Sequence, residues 1–596
     1  MSTVTTAPTA STASTVTPSP GRPTRPGPPA PAGAREPAPG GRFVARAAAV
    51  TAVLTAAGSF FGLVRDQTIA HLFGAGSDTD AFLVSWTIPE FAATLLIEDA
   101  MALVLVPAFS LALSRRAASA ARPDGTEGGG DASAGADDPV RALLAATLPR
   151  LLLALAGTAG VAALLAPHLV DVLAPGLADP ALAVECTRLT ALTVLGFGTA
   201  GYFSAALRAH RSFVPPATIY LSYNLVVIAA MLTLYARWGV RAAAFGVAAG
   251  SLAMVLVQLP AFRRHLSAGA SGTERTARTE RTARTGRPRW RRERTVRHGG
   301  GRRTGPSAAA ALVGGAVLAP VAVFALSRQS QVLVERFLAS ELPPGAISHL
   351  NYAQKIAQLP MTFSLLLCTV TFPLVARAMA DGRPERARRR VERDLLLAAV
   401  VVLLGAAYVI AYAPQIVELL FQRGAFGAGD TAATASVMRV YAVGLLGHCL
   451  AGALVRPFFS TSRPTWYPAG AMAVGLLLTV AAGALAAPRW GVHGIAAANA
   501  VGITTTALLL LGGLRTRVLP IRVGAVTAGL GRLVLAAAVA GAAGWAAAPL
   551  LPSPLPTALA GGVIVPAAFT GAALAVRAPE VPQLLTAVTR RFRHVR

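Results

Sequence analysis

About fourteen times along this 596-residue chain the sequence runs apolar for some twenty residues, and no other feature constrains its fold as much. A helix needs about 20 apolar residues to cross a bilayer. Inside hydrocarbon every backbone amide must find its partner within the protein, which favours helices for runs of this length. The runs lie at roughly 44–64, 80–113, 142–166, 187–207, 217–236, 242–262, 307–327, 346–376, 395–413, 432–455, 465–487, 492–512, 526–548 and 557–576. Alanine, leucine, valine and glycine dominate them, a composition suited to closely packed membrane helices. The reading is an all-α polytopic membrane protein with about 14 transmembrane helices.

Composition agrees, although its two main numbers pull apart. Hydrophobic residues make up 54% and charged residues only 14%, yet the formal net charge is +27. A soluble domain is about 25% charged, and a disordered chain would lack this apolar content. A dedicated nucleic-acid binder would account for the charge but not for the apolar runs. Arginines gathered in loops on one side of a membrane account for both. Nearly all the positive charge is arginine, because Lys355 is the single lysine.

The arginines set an expected orientation. With the N-terminus inside, the inner segments hold Arg115, Arg116, Arg208, Arg211, the stretch 263–306, Arg383 through Arg393, Arg456, Arg463, Arg515, Arg517 and the basic C-terminal tail. The outer segments hold fewer, among them Arg65, Arg237, Arg241, Arg328, Arg336, Arg423 and Arg489. Both termini are therefore expected on the cytoplasmic side of the membrane.

Segment 263–306 carries about 14 arginines against three glutamates, with a tandem ERTART at 274–279 and 280–285. It reads as a solvated linker held near anionic headgroups rather than a nucleic-acid site. It divides the chain into six spans and eight, the pattern of a transporter built from two lobes. The expected segments are a disordered cytoplasmic tail at 1–42, an N-terminal lobe at 43–262, the linker at 263–306 and a C-terminal lobe at 307–512. A two-helix addition at 513–577 and a basic tail at 578–596 follow.

Signatures of catalysis are missing from the sequence. It contains no Walker A loop, HExxH, GxSxG or paired Cys/His cluster. Cys186, Cys368 and Cys449 sit in apolar runs without metal or redox spacing, and His448 reads as a packing residue. Neither an enzyme nor a metal protein is expected. Ionisable groups at membrane depth are costly and tend to mark pathways. Arg65 and Asp66 end the first run, Asp80 opens the second, Glu98 and Asp99 lie within it, and Arg439 lies in the tenth. Asp80 is either such a group or a helix N-cap; Arg65 and Asp66 are either a cavity pair or an interfacial ion pair. Glu98 and Asp99 point about 100° apart on a helix, so at least one is expected to line a polar cavity. Asn351, Gln354, Lys355 and Gln358 form a polar stripe at i, i+3, i+4 and i+7, which should face a cavity rather than lipid; snorkelling of Lys355 to the headgroups is the alternative. Pro89 and Pro107, and Pro360 and Pro373, open backbone bonds in corresponding spans of the two lobes and permit kinks.

The stretch GLVRDQTIAHLFGAGSDTDAFLVSWTIPEF at 62–91 resembles the signature of the MurJ (MviN) lipid II flippases, part of the multidrug/oligosaccharidyl-lipid/polysaccharide exporter superfamily. LAPGLADP at 173–180, LFQRGAFGAGDTAAT at 420–434 and GVHGIAAANAVG within 456–515 are similar as well. The resemblance implies two lobes around a central cavity, and alternating access that moves lipid-linked peptidoglycan precursor from the inner to the outer leaflet. It implies a lipid-linked diphosphate as cargo, membrane lipids as surroundings and cell-wall synthesis proteins as candidate partners. No cofactor is expected, and membrane potential, a sodium gradient and a proton gradient all stay open as the driving force. By the same resemblance Arg65, Asp80, Glu98, Lys355 and Gln358 are expected substrate-binding cavity residues. The chain departs from the pattern in several places. Lys355 stands where an arginine is usual, Ser59 and Ala93 replace arginines, and Gln354 and Gln358 replace acids. The altered cavity keeps a second expectation open, an exporter of the same fold for another polyprenyl-linked glycan or a secondary metabolite. A membrane scaffold recruiting a partner through its arginine-rich loop is a third.

Overall fold

The computed structural model describes residues 41–120, 138–283, 308–362, 383–459 and 465–578, together with 364 and 582; side chains are described except at 41–48, 98–104, 118–120, 266–283 and 308–318. The stretch up to Ala49 is one unit and the chain from Val50 onward a second. Among the described residues every regular element is helical. The first half comprises α1 (Gly41–Phe73), α2 (Ser77–Ser85), α3 (Thr87–Ala92), a π-helical turn (Ala93–Asp99), α4 (Ala100–Ala120), α5 (Pro139–Leu164), α6 (Ala166–Leu173), α7 (Pro180–Ala191), α8 (Thr193–Ala209), α9 (Val214–Trp238) and α10 (Arg241–Ala283). The second comprises α11 (Ala308–Ala339), α12 (Ala346–Ala357), α13 (Pro384–Phe421), α14 (Ala428–Phe459), α15 (Tyr467–Arg517), α16 (Val523–Ala547) and α17 (Pro554–Ala575).

Among the described residues eleven helices are long and apolar enough to cross a membrane. One of them, α15, holds two expected spans, because Gly491 at φ 53° turns the chain in its middle. Only glycine takes that conformation without strain. The expected spans 307–327 and 346–376 run partly over residues or side chains outside those described, as do Cys368 and Pro373. The outward faces are those of a protein solvated by lipid. Leu153, Leu164, Leu485 and Val563 are largely exposed, an arrangement water would penalise over so many helices.

Helix starts follow local chemistry. Asp138 precedes Pro139 and accepts the Val140 amide at 3.1 Å, and Asp179 precedes Pro180 and accepts the Leu182 amide at 2.9 Å. An acid N-cap followed by proline satisfies one orphan amide and wastes no donor.

Each half packs mainly on itself, α9 against α8 and α10 in one lobe, and α13 to α17 with α11 in the other. Contacts between the lobes run through α2 with α12, α3 with α11 and α6 with α11. The two legs of α15 approach closely enough that a methyl on Gly475 would strike Thr506 and one on Gly502 would strike Thr479. In lipid such backbone proximity is the main source of helix association. Gly502→Val is therefore expected to lower the unfolding temperature of the detergent-purified protein by several degrees, with Gly512→Ala, whose added methyl would meet open space, leaving it unchanged.

Proline breaks the second expected span. Pro89 offers no amide to the Ser85 carbonyl four residues back; α2 ends at Ser85, and Thr190 Oγ1 donates to that carbonyl at 3.0 Å. Helix α12 ends at Ala357, with Gln358 and Leu359 between it and Pro360, and the Pro360 ring sits where a side chain on Gly405 would be. Pro107 lies inside α4, which continues through it. Helix α10 runs on to Ala283, so the first part of the expected linker is helical.

Candidate functional site

Helix α1 carries Arg65 and Asp66 about two turns before its end at Phe73. Arg65 Nε and Nη2 both donate to Asp66 Oδ1, at 3.0 and 2.8 Å, while Nη1 donates to Asn224 Oδ1 of α9 at 3.0 Å. Asn224 is itself fixed, its amide donating to the Gly58 carbonyl at 3.0 Å. Lys355 of α12 reaches the other oxygen of Asp66 at 3.4 Å. Both cations lie over the Trp86 ring, the Arg65 guanidinium 4.5 Å and the Lys355 ammonium 5.7 Å from its centre. One carboxylate, 7% exposed, thus serves two cations from different lobes on an aromatic floor. The triad keeps one positive charge in excess.

Beyond Trp86 a second pairing joins the lobes. Arg336 of α11, 4% exposed, donates to Glu90 of α3 at 2.7 Å and also to Thr87 Oγ1. Its neighbour Glu335 accepts from Tyr441 at 2.8 Å and from Asn499, which in turn meets His448 Nε2 at 3.0 Å. Asn351 and Gln354 line a small polar cavity with Glu335 and Arg336. The stripe Asn351, Gln354, Lys355 and Gln358 is half-buried, whereas Tyr352, Ala353, Ile356 and Ala357 between its members are buried.

The structure rearranges the expected site. Arg65 and Lys355 meet at Asp66. Arg336 is placed by sequence in an outer loop, but α11 continues to Ala339 and buries it; the helix survives the charges because Glu90 and Glu335 and their partners satisfy them. Gln358 ends α12, and its side chain joins neither cluster. The Glu98 side chain lies outside those described; its backbone is in the π-helical turn, a feature that often marks functional sites.

Asp80 has a different place from the expected cavity ligand. It lies 4% exposed and accepts the Gly345 amide at Oδ2 and the Ser348 amide at Oδ1, each at 2.7 Å, together with the Ser348 hydroxyl. It therefore caps α12 of the opposite lobe, with both oxygens committed. Nearby, the Ala425 amide donates to the His71 carbonyl at 2.9 Å, and Tyr352 donates to the Gly74 carbonyl at 3.4 Å. One end of the interior is sealed by residues 71–80 against 345–352 and 424–426.

Glu90, Glu335, Asn224 and Trp86 escaped sequence reasoning. A carboxylate in WTIPEF, inside an apolar run, and another in VLVERFL, flanked by apolar residues, were the available signals.

Two helical lobes, an ion-paired interior and a seal at one end define a polytopic membrane transporter. A family model described as lipid II flippase MurJ matches residues 69–554. The chain belongs to the MurJ family. Its relatives include the lipid II flippase MurJ of Burkholderia cenocepacia, 26% identical over 463 residues covering 76% of this chain and 81% of that one. A probable lipid II flippase MurJ of Rhizobium meliloti is 27% identical over 510 residues, 84% and 85% of the two chains. Among solved structures, lipid II flippase MurJ in an inward closed conformation superposes with a TM-score of 0.66 at 15% identity, covering 90% of this chain and 99% of that one. An inward-facing MATE transporter of the MOP superfamily follows at 0.57 and 14%, covering 81% and 99%. The chain shares its fold with both structures.

Proposed function

We propose that this protein moves lipid II from the inner to the outer leaflet by alternating access, and that the Arg65–Asp66–Lys355 triad receives its diphosphate. The carrying observation is a single carboxylate shared by two cations from different lobes. A diphosphate brings more negative charge than Asp66, and charge-assisted bonds to phosphate are among the strongest available. Binding it between α1 and α12 couples cargo to the relative position of the lobes, while the polyprenyl tail stays in lipid. Both termini are cytoplasmic in this reading, and membrane potential or a cation gradient supplies the drive. The test is a leaflet-resolved assay of labelled lipid II in vesicles containing the protein; transport no faster than in empty vesicles overturns the reading.

Lys355→Ala is expected to slow that transport about 10- to 100-fold, the range of one charge-assisted bond, and Lys355→Arg to retain it. A Lys355→Ala protein as fast as wild type would remove Lys355 from the site.

One observation supports the other cargo. Ser59 contributes no cation, its hydroxyl turning back to the Thr55 carbonyl at 3.3 Å. With Ala93 it leaves the interior less cationic than the family pattern, suited to a polyprenyl-linked glycan of lower charge. Failure to replace a depleted lipid II flippase, despite correct insertion, favours that exporter.

A further inference from the structure

Helix α13 is interrupted at Tyr412 (φ −113°, ψ 23°), just before Pro414. Pro414 has no amide to give the Ile410 carbonyl. Arg439 of α14 supplies the missing donor, its Nε reaching that carbonyl at 3.1 Å. Its guanidinium then lies 4.1 Å from the centre of the Trp545 ring. Trp545 is half-exposed and stands in the last turn of α16, the place of an interfacial aromatic. Arginine offers five N–H donors, and among the described residues one of them, Nε–H, is bonded to the protein. Among the described residues no carboxylate pairs with Arg439. A groove of about 570 Å³ runs from this point between α13, α14 and α16, lined by Ile410, Ala442, Leu446, Ala538, Gly541 and Trp545. It is apolar throughout, and its rim residues Val443, Val534 and Leu535 are exposed. A neighbouring groove of about 600 Å³, lined by Leu359, Tyr408 and Val565 among others, carries no charged side chain.

We propose that the first groove binds an anionic phospholipid, its phosphodiester held by Arg439 over Trp545 and one acyl chain lying along the groove. Charge complementarity carries the assignment: a cation with no carboxylate partner among the described residues, beside an apolar channel whose rim is exposed, matches a monoanionic headgroup joined to a hydrocarbon chain. The occupant is a lipid of the surrounding leaflet, because the groove faces outward and Arg439 takes no part in the Arg65–Asp66–Lys355 cluster.

The full-length protein in nanodiscs provides the test, with tryptophan fluorescence quenched by phospholipids brominated near the carbonyl end of the chain. Brominated phosphatidylglycerol is expected to quench more than brominated phosphatidylcholine at equal content. That difference should vanish in Trp545→Phe, which identifies the reporter, and the preference should fall about fivefold in Arg439→Gln. Arg439→Lys, which keeps the charge, should retain it; this variant keeps the test decisive if Arg439→Gln fails to fold. Equal quenching by the two lipids, or a preference unchanged in Arg439→Gln, overturns the proposal. Relief of the phosphatidylglycerol quenching by an equimolar polyprenyl diphosphate also overturns it, since the groove would then belong to the cargo.

Discussion

Arg65→Ala is expected to bring leaflet-to-leaflet movement of labelled lipid II down to the level of empty vesicles. The guanidinium makes three protein bonds, two to Asp66 and one to Asn224, and rests on Trp86. Within the triad Arg65 supplies the planar fork that suits a diphosphate, and Lys355 presents a point charge only. Losing two charge-assisted bonds of about 1.5–3 kcal/mol each amounts to a hundredfold or more. Arg65→Lys keeps the charge but loses the fork, so its expected deficit is smaller, about tenfold. Measuring both in the same vesicles separates charge from geometry. Equal rates for wild type and Arg65→Ala, at equal protein incorporation, would place the cargo elsewhere.

Asp80→Ala is expected to unlock the sealed end. It strips the α12 N-terminus of its cap and leaves the Gly345 and Ser348 amides and the Ser348 hydroxyl without their acceptor. Loss of an acid cap costs about 0.5–2 kcal/mol, and this one also joins the lobes, so a shift near the upper end is expected. About 2 kcal/mol corresponds to roughly a 30-fold change in the ratio of sealed to open forms. A cysteine placed at Ala75, beside Gly345 in the seal, should react with a membrane-impermeant maleimide correspondingly faster in the Asp80→Ala background. Asp80→Asn should lie between, since one oxygen still accepts. Unchanged labelling in Asp80→Ala would show that the backbone contacts of His71 and Gly74 hold the seal alone.

The legible part of the fold was its local part. Apolar runs of twenty residues specify spans because each buries its own backbone bonds, and Asp138–Pro139 and Asp179–Pro180 announce helix starts in adjacent residues. The polar stripe from Asn351 to Gln358 was legible for the same reason, a helix repeating every 3.6 residues. Arg336 was misplaced because hydropathy falls at Arg328 while the helix continues to Ala339. What sustains it there is Glu90, a residue of the other lobe. Asp80 shows the limit most clearly. Its type and its place at a helix start suggested a cap, yet the helix it caps begins 265 residues away.

By itself the sequence determined that this is a helical membrane protein, and through its motifs that it resembles the MurJ family. Both follow from properties a short segment carries alone: hydropathy, helical period, proline and glycine positions. Tertiary structure alone decided that Asp66 stands between Arg65 and Lys355, 289 residues from the latter, that Asp80 closes one end, and that Arg439 fills the bond Pro414 leaves open. Each of these is a polar group withdrawn from water, which must find its partner inside the protein. Which partner it finds depends on how the helices of the two lobes dock, and no local pattern records that.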